Sequence, residues 1–289
     1  MSDAAQAPVF LKLETLQPTF SYKIRGALNA VLALREARGD AAPALVTASA
    51  GNHGRALAYA AHRAGLPLAV YVPADAPRTK IEAIRKAGAQ VITCRDYDEA
   101  ESRAKSHGAS GAALFISPYS HPDVIAGAGT VGLQILEQRP DIKSIVVPIG
   151  GGGLVSGIAV AAKALSSELT VTGVEVAASS PFTAALAAGH IVRIDVQPTI
   201  ADGLSGNLDP DTVTFEIVRT LVDRIVVVGE SHVKQAVKAL VSEERLIVEG
   251  AGAVATAAIQ SGAIDCGGRP TAVIVSGANI DPEKLRQFI

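Results

Sequence analysis

Four consecutive glycines, Gly150, Gly151, Gly152 and Gly153, stand between a β-branched run, S-I-V-V-P over 144–148, and an alanine-rich helical pattern over 154–165. A strand, a bare-backbone turn and a helix start together make an anion cradle. No Cβ shields the backbone N–H groups, and the helix N-terminus adds roughly half a positive charge. The expected guest is a phosphate. A merely tight connection is the bland alternative, yet each glycine in it loses backbone entropy without adding side-chain packing.

The rest of the chain alternates in the same way. Apolar, β-branched runs predict strands over 9–14, 44–48, 68–72, 90–94, 113–116, 144–148, 170–176, 224–228 and 271–275. Helical spacing predicts helices over 24–37, 55–64, 79–87, 98–106, 123–138, 154–165, 182–188, 230–244 and 251–261, with a short amphipathic tail after them. Such a series makes an α/β fold, a parallel sheet with helices on both faces. At 289 residues the chain exceeds what one core usually organises, so two parallel-sheet lobes with a cleft between them are expected. Ligands of open α/β sheets bind beyond the carboxyl ends of strands. Three informative turns fall there: S-A-G-N-H-G over 49–54, the glycine tetrad, and S-G-A-N over 276–279.

Composition narrows the function. The formal net charge is −2 and the basic residues are scattered, so neither nucleic acid nor a membrane surface is an expected partner. No apolar run is long enough to span a bilayer, and the start lacks a basic-then-apolar signal pattern. Cys94 and Cys266 are far apart and outside any C-x-x-C pair, which fits a reduced, cytoplasmic setting. The six histidines show no metal-ligand spacing, so no metal is expected. Taken singly, Asn52, His53 and Ser276 could be helix caps and Lys23 a solvated lysine.

Taken together and in order, S-Y-K-I-R-G-A over 21–27, S-A-G-N-H-G, G-G-G-G-L over 150–154 and V-S-G-A-N over 275–279 resemble one family. It is the pyridoxal-phosphate serine/threonine dehydratases and related serine racemases, of the tryptophan-synthase-β fold (fold type II). V-I-A-G-A-G-T over 124–130 and I-A-D-G-L over 200–204 extend the resemblance, which runs from about Val9 to the end. It implies pyridoxal 5'-phosphate as cofactor, a smaller lobe over 24–122, and a larger cofactor-binding lobe from 1–23 and 123–289. By that resemblance Lys23 forms the Schiff base. Gly150 to Gly153 and the Leu154 amide hold the phosphate, Asn52 bonds the ring's phenolic oxygen, and Ser276 faces the pyridine nitrogen. Ser49, Asn52 and His53 receive the substrate carboxylate.

The implied reaction is β-elimination of water from a 3-hydroxy L-amino acid, L-threonine or L-serine first, giving a 2-oxo acid and ammonia. Freed Lys23 takes the Cα proton. Other substrates, 3-hydroxyaspartate or phenylserine, and serine racemisation stay open, with 117–121 and 202–207 shaping the side-chain pocket. A homodimer is the implied assembly. The sequence departs from the family pattern at Tyr22, where Phe is usual, and at Ala50, where racemases place a serine. It also departs at Pro181, where some relatives pair an acid with Glu175 to hold a divalent cation. The family's usual N-terminal helix with its R-T-P segment is expected to be missing, since the sequence opens almost at V-F-L-K-L-E, and with no regulatory module after Ile289 amino-acid feedback is not expected. Two other classes compete. A nucleotide-binding oxidoreductase would need G-x-G-x-x-G, which the tetrad does not give. A non-catalytic binding relative would keep the cradle but not Lys23, Asn52 and Ser276 together.

Overall fold

The computed structural model describes the backbone of residues 1–289 and every side chain except those of residues 3 and 4. In chain order the elements are α1 (Ser2–Ala5), β1 (Val9–Leu13), α2 (Lys23–Arg38), β2 (Leu45–Ala48), α3 (Asn52–Ala64), β3 (Leu68–Pro73), α4 (Arg78–Lys86), β4 (Gln90–Cys94), α5 (Tyr97–Ala109), β5 (Leu114–Phe115) and α6 (Pro122–Gln138). There follow β6 (Ser144–Pro148), α7 (Gly153–Leu165), β7 (Thr170–Val176), α8 (Pro181–Ala188), α9 (Thr214–Leu221), β8 (Arg224–Val228), α10 (Glu230–Ser242), α11 (Gly250–Gln260), β9 (Thr271–Val275) and α12 (Pro282–Arg286). The chain divides into two compact units: 1–16, 20–22 and 128–289 form the larger, and 17–19 with 23–127 the smaller.

In the larger unit five strands run in the order β1-β9-β6-β7-β8, and every pairing is parallel. A parallel sheet covered on both faces needs apolar side chains on both, and the strands supply them. Val146, Val174, Val176, Val273 and Val275 face one core with α10 and α11. Ile145, Val147, Val171, Ala272 and Ile274 face the other with α7, α8 and α9. The helix α11 (G-A-G-A-V-A-T-A-A-I-Q) is buried along nearly its whole circumference, which its small residues permit.

The smaller unit repeats the plan with four parallel strands in the order β4-β3-β2-β5. Leu45, Leu68, Val70 and Val72 pack with α2, α3 and α4. Val46, Ala48, Ala69 and Tyr71 pack on the opposite face with α5. Gly65, left-handed at φ +67°, closes α3, with its N–H on the His62 carbonyl and the Leu66 N–H on Ala61.

Both units are parallel sheets with helices on both faces, as the strand–helix alternation predicts. Besides the unexpected short helix α1 and shifts of one to three residues at other element ends, the structure differs from the sequence reading in three places. The helix α3 starts at Asn52, three residues before 55, so Asn52 and His53 belong to its first turn. Strand β5 shrinks to Leu114–Phe115, an edge strand that meets β2 over two residues only. Helix α9 was not expected; its apolar stripe of Phe215 and Val218 is short, and the polar run before it reads as loop.

Candidate active site

In the smaller unit the chemistry gathers beyond the carboxyl ends of β2 and β5, which are paired neighbours. Lys23 opens α2, half-buried, and its Nζ donates to the Pro118 carbonyl at 2.7 Å. One residue along the same 117–121 loop, the Ser117 hydroxyl accepts from Ser120 N–H at 3.0 Å. The Ile116 carbonyl accepts from Thr47 Oγ1 at 2.8 Å and lies 3.3 Å from His53 Nε2. Lys23, His53 and the 117–121 loop therefore share one polar corner.

His53 is only 2% exposed, and its Nδ1 has no hydrogen-bond partner. Burial first, and then the Lys23 ammonium nearby, push its pKa down to about 3, so the ring is neutral at pH 7. A carbonyl can only accept, so Nε2 carries the hydrogen and Nδ1 is a bare acceptor. Such a ring brings no positive charge to a carboxylate. What it and Asn52 do offer an anion is the backbone N–H groups of a helix's first turn. Ser49 and Gly51 shape the approach: Gly51 N–H donates to Ser49 Oγ at 3.3 Å. The turn is tight because a Cβ on Gly54 would collide with the Ser49 carbonyl oxygen.

In the larger unit the glycine loop leaves β6 and enters α7. Gly152 takes φ +86°, a left-handed setting that glycine adopts at no steric cost. A Cβ there would stand 2.5 Å from Phe182 Cζ and 2.9 Å from Thr214 Cβ; one on Gly150 would meet Leu204 Cα at 3.0 Å. A side chain is thus excluded at Gly152 and crowded at Gly150, and the bare loop suits a phosphate held by amides. Leu204 and Gly203 belong to the I-A-D-G-L motif, so two segments distant in sequence meet here. Ser276 follows β9, the neighbour of β6, and is buried; its carbonyl accepts Tyr22 N–H at 3.0 Å. A hydroxyl at the carboxyl end of the strand paired with β6 is compatible with a pyridine nitrogen.

Lys23, Ser49, Asn52 and His53 lie in the smaller unit, and Gly150 to Leu154 with Ser276 in the larger. Glu175, which the sequence leaves as half of a cation pair, caps α8: its carboxylate accepts Phe182 N–H at 2.8 Å, Thr183 N–H at 2.9 Å and Thr183 Oγ1 at 2.6 Å. Burial raises its pKa above the usual carboxylate range, and those three donors offset this only in part. Among the described residues no group of three or more His, Cys, Asp or Glu could hold a metal ion. Sequence reasoning missed Thr212 and Thr214, which brace the glycine loop. Their signal was the turn D-P-D followed by helical spacing in F-E-I-V-R-T-L.

A family model described as pyridoxal-phosphate dependent enzyme matches residues 1–277. The chain belongs to that family. It is 39% identical to an L-threonine ammonia-lyase of Thermotoga maritima over all of this chain and 71% of that protein. With an L-threonine ammonia-lyase of Geobacter sulfurreducens it is 41% identical, over 98% of this chain and 70% of the relative. Among solved structures, maize serine racemase superimposes with a TM-score of 0.91 at 34% identity, covering 99% of this chain and 88% of that one. The processed form of threonine deaminase isoform 2 from Solanum lycopersicum gives 0.90 at 33%, covering 99% and 84%. Family membership makes the chain an enzyme dependent on pyridoxal phosphate, of the fold those structures share.

Proposed function

We propose that this enzyme is an ammonia-lyase that removes water and then ammonia from L-threonine or L-serine, yielding a 2-oxo acid. The observation that carries the reading is the similarity to L-threonine ammonia-lyases along essentially the whole chain, and the sequence motifs around Lys23, Asn52, the glycine loop and Ser276 support it. Pyridoxal phosphate, when bound, supplies an aldehyde that carries the amine and a conjugated ring that accepts electrons from Cα.

The protein's residues divide the remaining work. Gly150 to Gly153 and the Leu154 amide hold the phosphate, Asn52 the phenolic oxygen, and Ser276 the pyridine nitrogen. A hydroxyl at that nitrogen, unlike a carboxylate, does not force a proton onto it. That suits elimination, in which the carbanion is short-lived. The first turn of α3, with Ser49, Asn52 and His53, receives the substrate carboxylate through backbone N–H groups. Lys23 Nζ would hold the cofactor and, as a free amine, take the Cα proton of the substrate. The β-hydroxyl would leave as water after gaining one proton, and the enamine product would become an imine and hydrolyse to the 2-oxo acid and ammonia. The lobes in this reading are 24–122 and, for the cofactor, 1–23 with 123–289. The 117–121 and 202–207 segments shape the side-chain pocket.

Racemisation ranks below elimination because it needs an acid–base group on each face of Cα, and Ala50 has none. We also propose a cytoplasmic homodimer. Its support is that Cys94 and Cys266 are both unpaired, and that Leu133 and Val160, apolar residues of α6 and α7, are 46% and 47% exposed. No helix among the described residues is long and apolar enough to cross a membrane. The deciding experiment incubates holoenzyme with L-threonine, L-serine, 3-hydroxyaspartate and phenylserine and measures 2-oxo acid and ammonia. Production from threonine or serine above the others is expected. No 2-oxo acid from any of them would overturn the reading, and light scattering checks the dimer.

A further inference from the structure

Glycines let backbone amides approach an anion, but they do not aim them. A four-glycine loop has the largest backbone freedom a chain can have, so a contact outside it must select one setting. Thr214, the first residue of α9, is fully buried and donates its hydroxyl hydrogen to the Gly151 carbonyl at 2.8 Å. Thr212 Oγ1 lies 2.8 Å from Thr214 Oγ1. Because the Thr214 hydrogen is committed to Gly151, Thr212 is the donor in that pair. The Thr214 N–H returns to Thr212 Oγ1 at 3.3 Å. Hydrogen bonds chained in this way polarise one another in a buried setting.

The direction of the amide follows from peptide geometry. The 151–152 peptide is trans, so its C=O and N–H point to opposite sides. Holding the Gly151 carbonyl against α9 turns the Gly152 N–H away from α9. The ring of Phe182 and the Thr214 side chain fill the side where a Gly152 Cβ would stand. The amide is thus directed to the open side of the loop. We propose that Thr214, oriented by Thr212, is a positioning residue that fixes the 151–152 peptide so that the Gly152 N–H faces the cofactor phosphate. This rests on the assignment of the phosphate to Gly150 through Leu154.

The test resolves the holoenzyme, titrates it back with pyridoxal phosphate, and records the ³¹P resonance of the bound phosphate. Thr214→Val keeps the shape and strands the Gly151 carbonyl, so the cofactor Kd should rise about tenfold, about 1.4 kcal/mol. The ³¹P resonance should move with it. Thr214→Ser should restore Kd to within about twofold, because the donor returns without the methyl group. Thr212→Val leaves the Thr214 donor in place and should weaken binding by a smaller factor. Gly151→Asp separates the two readings. If it leaves Kd unchanged, the phosphate is elsewhere. If it weakens binding while Thr214→Val matches the natural enzyme, the phosphate assignment stands and the clamp is wrong. Should Thr214→Val fail to fold, Thr212→Val decides alone, and an unchanged Kd and resonance there overturn the proposal.

Discussion

Lys23 and His53 show how a single side chain's setting decides its chemistry. Lys23 leads a helix, and its Nζ donates to the Pro118 carbonyl at 2.7 Å, which holds the amine at the end of β5. Lys23→Ala should abolish the visible cofactor band and the activity while far-UV circular dichroism stays unchanged; borohydride reduction that marks a different lysine by peptide mapping would refute the assignment. His53 is held neutral by burial, with its folded-state pKa near 3 against an ordinary 6.5. Between those values the unfolded chain binds a proton there and the folded chain does not. Its contribution to stability is therefore present at neutral pH and lost as pH falls from 6.5 towards 3. Replacing His53 with Gln should flatten the acid limb of a stability–pH curve; an unaltered limb would show that the ring is not buried neutral. Ala50 bears on reaction choice. Ala50→Ser adds a hydroxyl in little volume and should raise D-serine formation relative to pyruvate, measured by chiral chromatography. Abundant D-serine from the natural enzyme would sink the ranking of elimination over racemisation.

At the scale of elements, the glycine loop works because three helices meet it. Helix α7 begins at its end, the Phe182 ring of α8 covers one side, and Thr214 of α9 holds a carbonyl. Gly151→Asp should raise the cofactor Kd sharply, because a carboxylate would join an anion site; an unchanged titration would move the phosphate elsewhere. The strand–loop–helix unit was plain in the sequence, since β-branched residues, glycines and alanines each mark their own part of it. Its braces were not. In the sequence Glu175 stands only as one half of a cation pair of some relatives, and the fold alone turns it onto the N-terminus of α8. Helix α9 escaped because its apolar spacing, though helical, runs for only eight residues behind a polar D-P-D turn. Asp96, which the sequence reading did not single out, accepts the Glu99 N–H at 2.8 Å at the start of α5, so Asp96→Ala should lower the denaturant unfolding midpoint. An unchanged midpoint would show that the cap contributes nothing.

At the scale of the whole molecule, the cofactor is part of the stability. A ligand that binds only the folded chain contributes about 2.7 kcal/mol at one hundred times its Kd. Stripping the cofactor should therefore lower Tm by on the order of 5 °C, and adding pyridoxal phosphate should restore it. EDTA should change neither Tm nor activity, because the Glu175 carboxylate is already engaged by three donors and Pro181 offers no second acid. A fall in either would reveal a cation site.

The sequence alone determined the class of the fold, the strands β4, β6, β7, β8 and β9 residue for residue, and the turns that carry the motifs. These are local matters: alternation of strand and helix patterns, and glycines where a backbone must stand bare. Tertiary structure decided what each turn is pressed against. It set Leu204 beside Gly150, Thr214 on the Gly151 carbonyl, and Ile116 against His53. It also decided the protonation of His53, since desolvation depends on every element packed around a ring and on none of its sequence neighbours in particular.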